Sequence, residues 1–366
     1  MTPNAASPRA RFAALVSTPA TSATADQRRP AGVAGTNSRR LIGLLIALAA
    51  LALVSLVSIA VGSKAIPLGT VWDAIFGSSS GDASVIIWDL RVPRTLVGIA
   101  VGASLGVSGA LIQAMTRNPL ADPGILGVNA GAAFFVVIGI GALGVGSVGG
   151  YMWLAFVGAL VVTVAVYIIG SAGRGAASPV RLTLAGVALG AVLTGITSGL
   201  VLLDPQAFDK MRTWNAGSIT GRSLETIAPV LPLIAIGLLL AFSVARPLNA
   251  VALGDDLAAS LGTSVFRTRV IVIVAVTLLA GGATAIAGPI GFVGLMVPHV
   301  ARWIVGPDQR WIMLYTVVFA PILLLVSDVV GRIVMRPSEL PVGVVTAFIG
   351  APVLIVLIRR RKASGL

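Results

Sequence analysis

The stretch RRLIGLLIALAALALVSLVSIAV (39–61) decides the fold class. Two arginines precede twenty-one residues without a charge. A run of that length matches the roughly 20 apolar residues a helix needs to cross the hydrocarbon core of a bilayer. In water such a helix would have no polar face to present. Similar runs, bounded by Gly, Pro or charge, place further spans at 92–115, 125–145, 151–171, 182–203, 225–244, 270–287, 290–305, 312–331 and 341–358, with the first at 41–62. The pair after Val270 is short and interrupted by AGPIGFVG (287–294), which fits two close helices or one broken helix; two are assigned. The expectation is an all-α polytopic membrane protein of about ten transmembrane helices.

Composition points the same way. The chain is 57% hydrophobic and only 11% charged, whereas soluble domains carry roughly 25% charged residues. Ten spans and their loops fit one membrane domain, residues 39–366 of the 366-residue chain. Residues 1–38 are rich in Ala, Ser, Thr, Pro and Arg without helical period, and read as a disordered basic cytoplasmic tail. The first apolar run starts too far into the chain for a cleaved signal peptide and reads as a retained helix.

The net charge of +13 would suggest nucleic acid in a soluble protein, yet these arginines sit between apolar runs and read as topology signals, so no nucleic-acid partner is assigned. With ten spans both termini share a side. Placing the tail in the cytoplasm gives 18 Lys and Arg inside and 8 outside, so the positive-inside rule puts both termini in the cytoplasm of an inner or plasma membrane, with lipid around the bundle. There is no cysteine, which excludes disulfides, thiolate catalysis and cysteine-held metal. The segment GSITGRS (217–223) has the wrong spacing for a phosphate-cradling loop and lacks its lysine, so ATP hydrolysis is not expected from this chain. The single histidine, His299 in VPHVAR, reads as a hydrogen-bonded structural residue. No catalytic residue, metal site or cofactor is assigned.

One interior loop, RPLNAVALGDDLAASLGTSVFRTR (246–269), is long enough to hold structure. Gly254 breaks it, Asp255 and Asp256 suit a helix N-terminus, Leu257 and Leu261 share a face at i,i+4, and Gly262 suits a stop. The spacing predicts two short helices with an exposed apolar edge, a feature that marks a docking partner more often than a solvated connector. Glycines at small-xxx-small spacing, such as Gly102 with Gly106 and Gly186 with Gly190, read as close helix crossings. Outside the membrane stand 64–90, with Trp72 and Trp88; 204–224, with Trp214 and a short surface helix; and 332–340. Arg91, Arg94 and Arg332 lie at outward span ends, against the charge rule. They either snorkel to lipid phosphate or meet acidic groups of an external partner.

The runs RVPRTLVGIAVGASLGVSGALIQAMTRNPLADPGILGVNAGAA (91–133), RLTLAGVALG (181–190), ALGDDLAASLG (252–262), AGPIGFVGLMVPHVAR (287–302) and SELPVGVVTAFIGAPVLIVLIRR (338–360) resemble the FecCD-type permeases of iron-siderophore, haem and cobalamin ABC importers. The resemblance covers about 41–362. It implies a type II ABC importer permease fold, with an inverted repeat of helices 2–5 against 7–10 and two permease subunits around one path. It implies that the short helices at about 247–263, through Leu253, Gly254, Asp255, Leu257, Leu261 and Gly262, dock on an ABC ATPase dimer. It further implies that Arg91, Arg94 and Arg332 meet acidic residues of an extracytoplasmic substrate-binding protein. Helices five and ten are implied to line the path, through Thr194, Ser198, Thr346 and Gly350. The second permease is a copy of this chain or a paralogue. Ferric siderophore is the expected cargo, with haem and cobalamin as alternatives; a secondary transporter, the rival reading, would need more intramembrane ionisable groups than Asp328.

Overall fold

A computed structural model describes residues 33–34, 36–64, 66–77, 81–172 and 179–363. Most of the expected tail, and Arg174 between the fourth and fifth spans, lie outside the described residues. Every regular element among the described residues is helical.

A helix underlies each of the ten expected spans. They are α1 (Asn37–Ala60), α3 (Val92–Thr116), α4 (Val128–Gly141), α5 (Val148–Ser171), α6 (Pro179–Leu203), α8 (Leu231–Ser243), α11 (Val265–Ala287), α12 (Val293–Val305), α13 (Gln309–Val334) and α14 (Val342–Ala363). Between them lie α2 (Leu68–Phe76), α7 (Pro205–Asn215), α9 (Ala245–Val251) and α10 (Asp255–Ser260). Six helices are long and apolar enough to cross a bilayer by length and composition, and α8 with α9, bent by 49°, makes a seventh. The helices α4, α12 and the apolar part of α14 are shorter. At 1.5 Å per residue α4 reaches only about 21 Å, against a hydrocarbon core of about 30 Å.

The start of α1 comes earlier than the apolar run because Thr36 caps it, its side chain accepting from the Arg39 amide. The segment before it is tied down as well: the Val33 and Ala34 amides donate to the carbonyls of Trp303 and Ile304. Leu41, Leu45 and Leu53 of α1 are exposed, as lipid-facing side chains are. The helix α3 is the buried centre and packs on α11, α12 and α13. Where lipid removes the hydrophobic drive between helices, close backbone approach replaces it. A Cβ on Gly102 would stand 2.7 Å from the Pro321 backbone and one on Gly106 2.5 Å from the Ala320 Cβ, so this crossing of α3 with α13 is built for glycine. Gly186 abuts the Ile125 carbonyl in the same way, whereas Gly190 faces open space except for Ala130.

The packing has a two-fold logic. The first helix of each expected repeat lies on the third helix of the other, α3 against α13 and α11 against α5, and the two first helices pack on each other. The break at AGPIGFVG does separate two helices. Gly288 and Phe292 bracket it in left-handed conformations, and the Ala287 carbonyl accepts from the Ser218 amide. The stretch after α7 is thereby stitched to the break.

Candidate functional site

One end of the bundle carries the short-helix pair. Gly254 starts α10 with φ 113°, a conformation an L side chain rarely adopts, and Gly262 closes it with φ 80°. Asp255 and Asp256 occupy the first turn. Leu253, Leu257 and Leu261 are 58%, 49% and 62% exposed and form the expected apolar edge, which Phe266 at 71% extends. The pair is held firmly behind that edge. The Asn249 side chain donates to Asp308 (2.9 Å) and accepts from the Gln309 amide (2.8 Å). Asp255 faces the bundle, 2.6 Å from Arg269 and 3.6 Å from Arg117. The loop thus offers a greasy surface on a charged mount. His299, buried on α12 nearby, packs edge-on against the Trp303 ring at 5.2 Å.

The opposite end holds a buried ion cluster. Asp328 on α13 accepts from Arg94 Nη2 at 2.6 Å, from Arg94 Nε, and from Arg332 one turn along the same helix. All five N–H groups of Arg332 are used: Nε and Nη2 on Asp328, Nη2 also on Ser58 Oγ (3.0 Å), and Nη1 on the Ser58 and Val61 carbonyls (2.7 and 2.8 Å). Arg94 Nη1 reaches Glu339 at 2.6 Å. Burial acts to raise the Glu339 carboxyl, but the bond and charge of Arg94, with a Ser63 hydrogen bond and the Arg332 charge, together hold it below the usual range. Arg91 caps α1, donating to the carbonyls of Ile59, Ala60 and Lys64. Arg91, Arg94 and Arg332, expected at the outward span ends, are only 5%, 8% and 1% exposed, because each is engaged with helix-end carbonyls or Asp328 inside the chain. A cavity of about 470 Å³ opens beside them, lined by Lys64, Arg91, Arg94, Arg222 and Arg332 against Asp89 and Glu339. Sequence reading noted Asp328 but not its partners, although the i,i+4 spacing to Arg332 was a usable signal.

Between the two ends lie two adjoining cavities that share Asn215 and Pro289. One, of about 390 Å³, is walled by Thr194, Thr197 and Ser198 of α6, Asn129 of α4 and several glycines. Both residues expected on helix five are thus at a cavity. The other, of about 570 Å³, is nearly all apolar, with Gly343, Val344, Ala347, Phe348 and Ala351 of α14 in its wall. The residues expected on helix ten lie elsewhere on that helix: Thr346 is buried with its hydroxyl on the Gly343 carbonyl, and Gly350 backs onto Phe292. The part of the helix before its basic end, Val342–Val356, carries apolar residues on every side and so offers no phase to read. No charged side chain lines either cavity among the described residues.

An all-helical bundle with a mid-depth neutral cavity, a charged vestibule at one end and a mounted apolar edge at the other is a membrane transport permease. The comparisons agree. The FecCD transport family profile matches residues 48–360. The ferric enterobactin transport system permease protein FepD of Escherichia coli (strain K12) is 48% identical over 333 residues, covering 91% of this chain and 98% of FepD. The hemin transport system permease protein HmuU of Yersinia pestis is 34% identical, covering 88% and 96%. A solved metal-chelate type ABC transporter in an inward-facing conformation superimposes with a TM-score of 0.78 at 25% identity, covering 87% of this chain and 99% of that one. The chain belongs to the FecCD transport family.

Proposed function

We propose that this permease carries a ferric siderophore across the cytoplasmic membrane as part of an ABC importer, with both termini and the α9–α10 pair on the cytoplasmic side. The observation that carries the reading is the leucine edge of Leu253, Leu257 and Leu261, exposed to water on a rigid mount. It is the surface on which an ABC ATPase dimer docks. Arg117, Arg246, Arg267 and Arg269 gather around the same loop, in keeping with a cytoplasmic face. The greater identity to the ferric enterobactin permease than to the hemin permease favours a siderophore over haem.

The path runs through the two neutral cavities, past Thr194 and Ser198 and the Phe348 face of α14. Weakly polar walls suit a conduit that must release what it admits. The exposed face of α6, where Gly195 and Gly199 meet nothing within 4 Å, is where a second permease subunit completes the path. At the other end an extracytoplasmic substrate-binding protein docks over the cationic cavity. Arg91 and Arg94 hold its rim together with Lys64 and Arg222, while Arg332 is the strut behind them.

The test is reconstitution with the ATPase and the binding protein in proteoliposomes, measuring ATP-dependent uptake of radiolabelled iron as siderophore or as haem. Uptake of the siderophore supports the reading; uptake of haem alone overturns the cargo, and no association with an ATPase overturns the whole. Two variants probe the parts. Ser198→Trp fills the mid-depth cavity, and uptake is expected to fall about tenfold or more while ATP hydrolysis persists. Arg222→Glu reverses a charge in the lining of the cationic cavity. Binding-protein affinity is expected to drop about tenfold at low salt, with the deficit shrinking as ionic strength rises.

A further inference from the structure

We propose that Asp255 is not part of the ATPase-docking surface but the joint that passes its movement to the membrane helices, gripping at once the first helix of each half of the bundle. This rests on the docking role given above to α9–α10. Asp255 opens α10, and its carboxylate meets two arginines of the bundle. One oxygen lies 2.6 Å from Arg269 Nη2, the other 3.6 Å from Arg117 Nη2. Arg269 stands in the first turns of α11 with its side chain only 9% exposed. Arg117 directly follows the last residue of α3, in a left-handed conformation (φ 54°) that turns the chain out of the helix.

These two anchor points are not arbitrary. The helices α3 and α11 head the two expected repeats and pack on each other, and the Asp255 carboxylate meets the C-terminal end of the first and the N-terminal end of the second. A single carboxylate bridging both ends couples a rigid-body shift of α10 to both halves together. The left-handed Gly254, with φ 113°, turns the chain into α10 just before Asp255. The strength of the joint is unequal. The Arg269 contact is short, charge-assisted and sheltered, and carries most of the load. The Arg117 contact is longer and about 40% open to solvent on each side, and acts as a guide. By contrast α9 is fixed through neutral Asn249 to the start of α13. The loop therefore has one fixed foot and one charged foot.

The experiment uses the full importer in proteoliposomes and reads ATPase co-purification alongside substrate imported per ATP hydrolysed. Asp255→Asn keeps the size and shape of the side chain while removing its charge, and is expected to retain the ATPase while import per ATP falls about tenfold. Asp255→Glu restores most of the yield. The exchange Asp255→Arg with Arg269→Asp performs better than either single change. Unchanged import per ATP in Asp255→Asn, or a double exchange no better than its singles, overturns the joint. Loss of the ATPase from Asp255→Asn to the degree seen for Leu257→Asp also overturns it, returning Asp255 to the docking surface. Retention of the ATPase by Leu257→Asp would instead remove the docking role on which the joint depends.

Discussion

Leu257→Asp releases the ATPase from the purified complex and abolishes uptake, while the permease itself inserts and folds as before. Leu257 is half exposed, so a charge there meets water in the free chain and stability should move by no more than about 0.5 kcal/mol. In the docked state the same charge is buried against a partner surface without a counter-charge. A central anchor of this kind is worth about 2 kcal/mol or more, which is roughly 30-fold in affinity. Co-purification of the ATPase and a thermal melt of the permease, measured on the same preparation, separate the two effects. Retained ATPase with wild-type uptake would show that the leucine edge serves some other end.

Asp328→Asn has the largest expected effect on the fold itself. The substitution keeps the shape and removes the charge, leaving Arg94 and Arg332, both nearly inaccessible, without the carboxylate they share. Removing one partner of a buried ion group costs about 3–5 kcal/mol, since the remaining charges are already stripped of water. The cluster joins α1 through Ser58, α3 through Arg94 and α13 through Asp328 and Arg332. A much lower melting temperature in detergent and poor recovery from the membrane are expected. A melt within a degree or two of the wild type would mean that the cluster is ornamental. The same geometry explains why Asp328 makes a poor proton carrier: it is committed to two guanidinium groups, which removes the footing for a secondary transporter.

How far the sequence could be read depended on the range of the interaction. Local signals were legible: the apolar runs each hold a helix, Gly254 and Gly262 delimit α10, and 287–294 separates α11 from α12. Gly102 and Gly106 likewise mark a true crossing, with α13. The buried ion cluster was not legible because its central contact joins residues 234 positions apart. Span-end arginines look alike whether they reach out to lipid or in to a carboxylate. The facing of α14 was hidden for a different reason: with apolar residues on every side, Thr346 and Phe348 offered no periodicity by which to tell wall from packing. Three helices shorter than a full span also show that an apolar run sets where a helix forms more firmly than how deep it reaches.

The most direct measurement exploits the absence of cysteine from the chain. A single Ala259→Cys, exposed on α10, is labelled with a membrane-impermeant maleimide in intact cells and in inverted vesicles. The account predicts no labelling in intact cells, strong labelling in inverted vesicles stripped of peripheral proteins, and protection when the ATPase is bound. Labelling from the outside of intact cells would contradict it.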